Sequence, residues 1–158
     1  MDIKPYNRIS AINYARKWAL SRNPQYYNFD PVGGDCTSFV SQCLFAGSQK
    51  MNYNLEKGWF YKNGYDKSPS WSGVEFLYKF LTQNKSYGPR GKEVSQSEIQ
   101  AGDIAQLSFS GNKFEHSLFI LDPSIVSVAA HTYDALDKKI HEYNFSKIRF
   151  IHIIDVGF

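Results

Sequence analysis

The sequence predicts an α+β domain in which N-terminal helices pack on an antiparallel sheet. Two observations carry this. Up to residue 83 the apolar residues recur mostly at helical spacing. From residue 104 they fall in short β-branched or aromatic runs divided by turn signals. Helices first and strands second is the order of an α+β fold rather than of an alternating parallel sheet. The length, 158 residues, suits one domain over 1–158, large enough to bury a core without disulfides or a structural metal.

Each element follows from local pattern. Ile9, Ile12, Ala15, Trp18 and Ala19 predict an amphipathic helix over 7–21, stopped by Asn23-Pro24. A loop over 23–34 ends in Gly33-Gly34. Cys36, Phe39, Val40, Cys43 and Leu44 form one buried helical stripe, with Asp35 as N-cap and Gly47 as the stop. Residues 48–70 are polar and aromatic without clear period, an irregular insertion of the kind that often serves function. A third helix is expected over 72–83, with Val74, Leu77, Tyr78 and Leu81 inward, and a loop over 84–97. Strands are expected over 104–109, 114–121, 125–131 and 148–156, with a further short one over 139–143.

Composition narrows the function classes. Hydrophobic residues make up 42% and charged residues 21%, which fits a globular chain rather than a disordered one. The net charge of +3 is scattered, with no run of four basic residues, so no nucleic-acid footprint is expected. An anionic polymer such as a cell wall is compatible with it. No apolar run of about 18 residues occurs, so no membrane span is expected. The first residues, MDIKPYNRIS, lack the apolar stretch of a signal peptide. The protein is expected in the cytoplasm, or secreted or at the cell wall if the chain is a mature domain. Aromatics reach 16%, and rings serve either a small core or a cleft wall.

Two cysteines are present, Cys36 and Cys43. Seven residues on one helix put them about 10 Å apart along the axis, beyond the roughly 7 Å a disulfide spans. There is no CxxC pair, which argues against a thiol redox protein. Cys36 opens a helix after Gly33-Gly34-Asp35. Unpaired amides and the positive end of the helix dipole are expected to depress its pKa, and its N–H can face a developing oxyanion. Cys43 lies in mid-helix and reads as core.

A thiolate nucleophile needs a base. His116 begins the run His-Ser-Leu-Phe-Ile-Leu and His131 ends Val-Ser-Val-Ala-Ala-His. A hairpin around Asp122-Pro123-Ser124 would make the two rough cross-strand neighbours, base and tautomer-fixing partner. Asp134 is the rival orienter. His141 and His152 read as surface or sheet-face residues. The four histidines lack the spacing of a metal site, and neither metal nor cofactor is expected.

The block Gly33-Gly34-Asp35-Cys36-Thr37-Ser38-Phe39-Val40-Ser41-Gln42, preceded by Tyr6-Asn7-Arg8 and Tyr14-Ala15, resembles the bacterial putative amidase domain family. Ala101-Gly102-Asp103-Ile104, His116-Ser117 and His131-Thr132-Tyr133-Asp134 follow in the right order, so the resemblance covers nearly the whole chain. That family is similar to the NlpC/P60 and CHAP papain-like cysteine peptidases. The resemblance implies a papain-like fold, with Cys36 on the central helix, His116 on a core strand and His131 as the polar third residue. It also implies substrate contacts from Asp35 and Ser38, and an oxyanion contact from Tyr26 or Tyr27. The chain departs from it in carrying Ser38 where the family usually shows Asn, and in a longer His116–His131 gap.

The activity expected is hydrolysis of an amide or peptide bond, in a peptide or peptidoglycan-derived substrate, by a monomer. Two other classes stay open. An acyltransferase or transpeptidase would use the same Cys–His pair and pass the thioester to an amine. A catalytically idle module binding peptide or cell wall would keep the cleft alone.

Overall fold

The computed structural model describes all residues, 1–158, as a mixed helix and antiparallel-sheet fold. The elements in order are β1 (Ile3–Lys4), α1 (Arg8–Trp18), α2 (Cys36–Ser48), β2 (Tyr61–Asn63), β3 (Asp66–Lys67), α3 (Pro69–Ser72), α4 (Val74–Gln83), β4 (Gly88–Val94), β5 (Ile104–Ser108), β6 (His116–Asp122), β7 (Ser127–Ala130), β8 (Ala135–Lys139) and β9 (Lys147–Gly157). The main sheet runs β1-β9-β5-β6-β7-β8, and β4 pairs with β9 as well. The chain's two ends lie side by side, with Asp2 and Phe158 exchanging both backbone hydrogen bonds.

Alternation along the strands divides the core in two. Ile104, Phe119, Leu121, Ile151 and Ile153 face the helices, and Phe39, Val40, Cys43 and Leu44 of α2 pack on them with Trp59 and Trp71. Ala105, Leu107, Leu118, Ile120, Val128 and Phe150 form a smaller cluster on the other face, covered by Ile140, Tyr143 and Phe145.

Several boundaries differ from the sequence expectation for identifiable reasons. The helix expected over 72–83 is α4, which starts two residues later because Gly73 adopts an extended backbone (φ −111°, ψ 128°) between it and the short α3. Helix α2 does not stop at Gly47. It runs to Ser48 and ends on Gln49 in the left-handed region (φ 54°). Gly47 instead makes room for a neighbour: a Cβ there would sit 2.5 Å from Cε1 of Tyr6. Gly88 to Val94, expected as loop, is a strand held entirely by pairing with β9. It pairs on one side alone, which tolerates Pro89. The irregular insertion contains the small β2–β3 hairpin. The short strand expected over 139–143 lies earlier, as β8, and Ile140–Glu142 is a 3₁₀ turn. No helix is long and apolar enough to cross a membrane.

Candidate functional site

Cys36 is the first residue of α2, and only 8% of its surface is exposed. Asp35 occupies the cap position, but its side chain does not cap the helix. Its backbone (φ −108°, ψ 6°) lies outside the extended region that turns a cap side chain back on the first turn. The carboxylate points the other way. Oδ1 accepts from the Phe29 N–H at 2.8 Å, and Oδ2 lies 2.6 Å from Nδ1 of His131. The helix ladder begins with the Phe39 N–H on the Asp35 carbonyl, so the amides of Cys36, Thr37 and Ser38 have no intrahelical partner.

His131 has both ring nitrogens occupied. Nε2 lies 2.7 Å from the carbonyl oxygen of Trp18, which can only accept. Nδ1 faces a carboxylate that also takes the Phe29 N–H and has the Arg22 guanidinium 3.7 Å away. Nε2 therefore donates to Trp18, and both nitrogens are engaged. The ring is 1% exposed and stacks on Phe39 with centroids 4.0 Å apart. This staple joins the end of α1, the loop before α2, the start of α2 and the turn after β7.

The structure thus corrects the expected third residue. His131 has no nitrogen left for His116. The reason is register: β6 and β7 pair Phe119 with Ala129 and Ile120 with Val128. Extending that pairing sets Ser117, not His116, opposite His131, and one residue of offset reverses the sheet face. Asp134 does not orient His116 either, since its two oxygens hold Arg22 at 2.8 and 3.0 Å.

His116 is in phase with Leu118 and Ile120. Its ring lies beside Phe109 and Tyr143, at centroid distances of 6.2 and 6.0 Å. It makes no hydrogen bond to Cys36; the one side-chain partner of the thiol is the Thr37 hydroxyl, 3.7 Å away. Burial, with a smaller contribution from the Lys138 charge, lowers the His116 pKa to about 4, so the imidazole is neutral at neutral pH.

The peptide following His116 bears on the Cys36 thiol instead. On β6, Ile120 donates to β5 through the Asp103 carbonyl. Alternation then turns the Ser117 N–H toward β7. β7 has ended at Ala130, and that N–H favours the Cys36 thiolate instead. The Ser117 and Thr37 amides and the Thr37 hydroxyl all favour the thiolate, but burial outweighs them and, with the Asp35 charge, raises the thiol pKa. The depressed pKa expected from helix position alone is not found: desolvation wins.

Other expected residues have definite places. Ser38 is buried and accepts from Gln42, whose Oε1 accepts from the Tyr14 hydroxyl at 2.6 Å. Tyr26 packs against Tyr61 and Trp71, and burial raises its pKa to about 12. Tyr27 is 45% exposed, and its N–H donates to the Tyr61 hydroxyl. Neither tyrosine hydrogen-bonds Cys36. Cys43 is fully buried, and burial raises its pKa well above the ordinary thiol value. His152 hydrogen-bonds the buried Asp103, which also binds Arg8 and the Ile153 N–H. His141 is exposed.

The sequence did not single out Thr132. It sits in the left-handed region (φ 59°) and its hydroxyl accepts the Asp35 N–H at 2.9 Å. A Cβ on Gly34, itself at φ +105°, would stand 3.0 Å from that hydroxyl, which explains a glycine there.

A thiol at a helix start, wedged against a strand amide where a sheet opens, defines an α+β protein with a candidate covalent-chemistry centre. The chain belongs to the family described as putative amidase domain, whose model matches residues 5–154. It is 34% identical over 137 residues to YhbB of Bacillus subtilis, covering 82% of this chain and 42% of that protein. It is 30% identical over 105 residues to YjcM of the same organism, covering 65% of this chain and 22% of that protein. Both relatives are described as uncharacterized. The chain therefore spans less than half the length of either. No solved structure matches.

Proposed function

We propose that this domain is a cysteine-dependent amidase of papain-like type, with Cys36 as nucleophile. The observation that carries the reading is the Cys36 sulfur at an uncapped helix start, contacted by the Ser117 amide and the Thr37 hydroxyl. Membership in a family described as putative amidase domain supplies the bond class.

In this reading the Cys36 thiolate attacks an amide carbonyl. The free amides of the first helical turn, Cys36 N–H among them, stabilise the oxyanion. His116 is the acid–base group. It directly precedes Ser117, whose amide favours the Cys36 thiolate. The imidazole rests on the Tyr143 side, so this reading requires the start of β6 to turn toward the thiol when substrate binds. The neutral ring takes the thiol proton, gives it to the leaving amine, and water then releases the acyl group. His131 and Asp35 act on this site by holding the helix start in place. The substrate class is a peptide amide, with the peptide stems of peptidoglycan as the proposed source.

The test is incubation of the wild type, Cys36→Ala and His116→Gln with purified muropeptides, followed by mass spectrometry. Cleavage is expected from the wild type and a fall of about 10³-fold or more in Cys36→Ala. Cleavage that survives Cys36→Ala removes the thiol from the mechanism. Aminolysis products in place of hydrolysis would mark an acyltransferase.

A further inference from the structure

Two buried polar side chains interrupt apolar strands. Gln106 lies in Ile104-Ala105-Gln106-Leu107 of β5, and Ser117 in His116-Ser117-Leu118 of β6; both are fully buried. They pair across the two strands and face α2. On β9, Arg149 lies beside Gln106, with its guanidinium 3.6 Å from the Tyr78 ring centroid and 4.0 Å from that of Phe114.

The chemistry of the partners fixes the direction of the bonds that Arg149 and Gln106 make. Nε and Nη2 of Arg149 lie 2.9 and 2.7 Å from one terminal atom of Gln106. A guanidinium only donates, so that atom is the amide oxygen. The Gln106 NH₂ group then points the other way and donates to the Val74 carbonyl at 3.0 Å and to Ser117 Oγ at 3.2 Å. Ser117 Oγ accepts there, which leaves its own proton free for Thr37 Oγ1 at 2.9 Å. Thr37 Oγ1 can then give its proton to the Cys36 sulfur at 3.7 Å, the direction that a thiolate requires.

We propose that Gln106, Ser117 and Thr37 form an oriented hydrogen-bond relay that aims the positive end of its dipoles, backed by the Arg149 charge, at the Cys36 sulfur. Gln106 and Arg149 are thereby positioning residues for a nucleophile they do not touch. The relay is dry: Thr37 is 1% exposed, and the Arg149 side chain 10%. Aligned hydrogen bonds in such surroundings polarise one another and act over a longer reach than in water. Glu75, paired with Arg149 at 2.8 Å, offsets part of the cation, but its side chain is 49% exposed and screened. The charged group that acts on the sulfur itself is Asp35, held by His131 and Arg22, while the His116 ring lies beside Phe109 and Tyr143. Asp35 and burial oppose the thiolate, and the relay works against both.

The inference rests on Cys36 as the reactive thiol, and its test reads that thiol directly. The full chain and its variants are alkylated with iodoacetamide from pH 6 to 11, and Cys36 labelling is followed by peptide mass spectrometry. Thr37→Val removes the last donor without changing side-chain shape. It is expected to raise the alkylation midpoint by roughly one pH unit, about a tenfold slower rate at pH 8. Thr37→Ser keeps the hydroxyl and should retain the wild-type profile. Gln106→Glu still accepts from Arg149 but has no proton for Ser117, and should shift the midpoint the same way. Arg149→Met, remote from the sulfur, should shift it less with the same sign. If Gln106→Glu fails to fold, the Thr37 pair decides alone. Coincident midpoints for the wild type, Thr37→Val and Thr37→Ser would overturn the relay. A shifted midpoint in a protein that cleaves no amide would uphold the relay and sink the amidase reading. Cys36-dependent cleavage with unshifted midpoints would do the reverse.

Discussion

Cys36 and Cys43 stand two turns apart on α2, both buried and both free, yet their surroundings differ in kind. Cys36 has a hydroxyl, a strand amide and a helix-turn amide against its sulfur. Cys43 sits in the apolar cluster of the helical face, and the one group that favours its thiolate is its own backbone amide. Burial raises both thiols, and Cys43 more. The contrast teaches that helix position is not enough to distinguish a reactive cysteine. What distinguishes Cys36 is that β7 ends at Ala130, which leaves the Ser117 N–H on β6 for the sulfur to accept.

Four measurements press on this comparison. The largest effect is the labelling contrast. In the folded protein Cys36 should alkylate at least about 10³-fold faster than Cys43, which is exposed only when the structure opens. Because its pKa is raised, the Cys36 rate should still be climbing above pH 9. Equal labelling of the two thiols would remove the distinction.

Next is the staple that holds the helix start. Asp35→Ala leaves the buried His131 ring and the Phe29 N–H without their shared carboxylate partner. A loss of about 3–5 kcal/mol in urea unfolding is expected. A loss under about 1 kcal/mol would show that Asp35 does not fix the start of α2.

His116 gives the third. Its folded pKa, about 4, lies below the ordinary histidine value, so the unfolded chain binds the proton more readily. That contribution is complete above about pH 6.5 and is lost as pH falls toward 4, up to about 3 kcal/mol. His116→Gln should flatten the pH dependence of stability in that window. An unchanged slope would mean that the ring is already solvated.

The smallest expected effect is Cys43→Ala, which removes one buried sulfur from the core. It should cost about 1–2 kcal/mol and leave Cys36 alkylation unchanged. A changed Cys36 profile would mean that the two positions communicate along α2.

Much of this site could be seen in the sequence, and the limits are physical. Cys36 stood out because Gly33-Gly34-Asp35 and the stripe Phe39, Val40, Cys43, Leu44 mark a helix start without reference to anything distant. The partnership of His131 could not be read that way. Counting residues from Pro123 assumed a symmetric turn, and the real register differs by one, which sends His131 to Asp35. β4 was hidden because Gly88-Pro89-Arg90-Gly91 carries turn residues, and its strand state comes from β9, more than fifty residues away in sequence. The relay spans Thr37 to Arg149. The local hint of it was a glutamine and a serine in the middle of apolar strands, where a polar side chain needs a buried partner.

The pairing of the first strand with the last has a consequence for how such a domain can be combined with other chain. Asp2 and Phe158 are neighbours across an antiparallel pair, where Cα atoms stand about 5 Å apart. A peptide of a few residues can therefore join residues 1 and 158, and a new opening at the Ser110-Gly111-Asn112 turn would give a circular permutant of this domain with the same sheet order. By the same geometry, segments attached to the two ends would leave from one spot. The domain can be set into a host loop as a cassette at little entropic cost, with the Cys36 helix undisturbed.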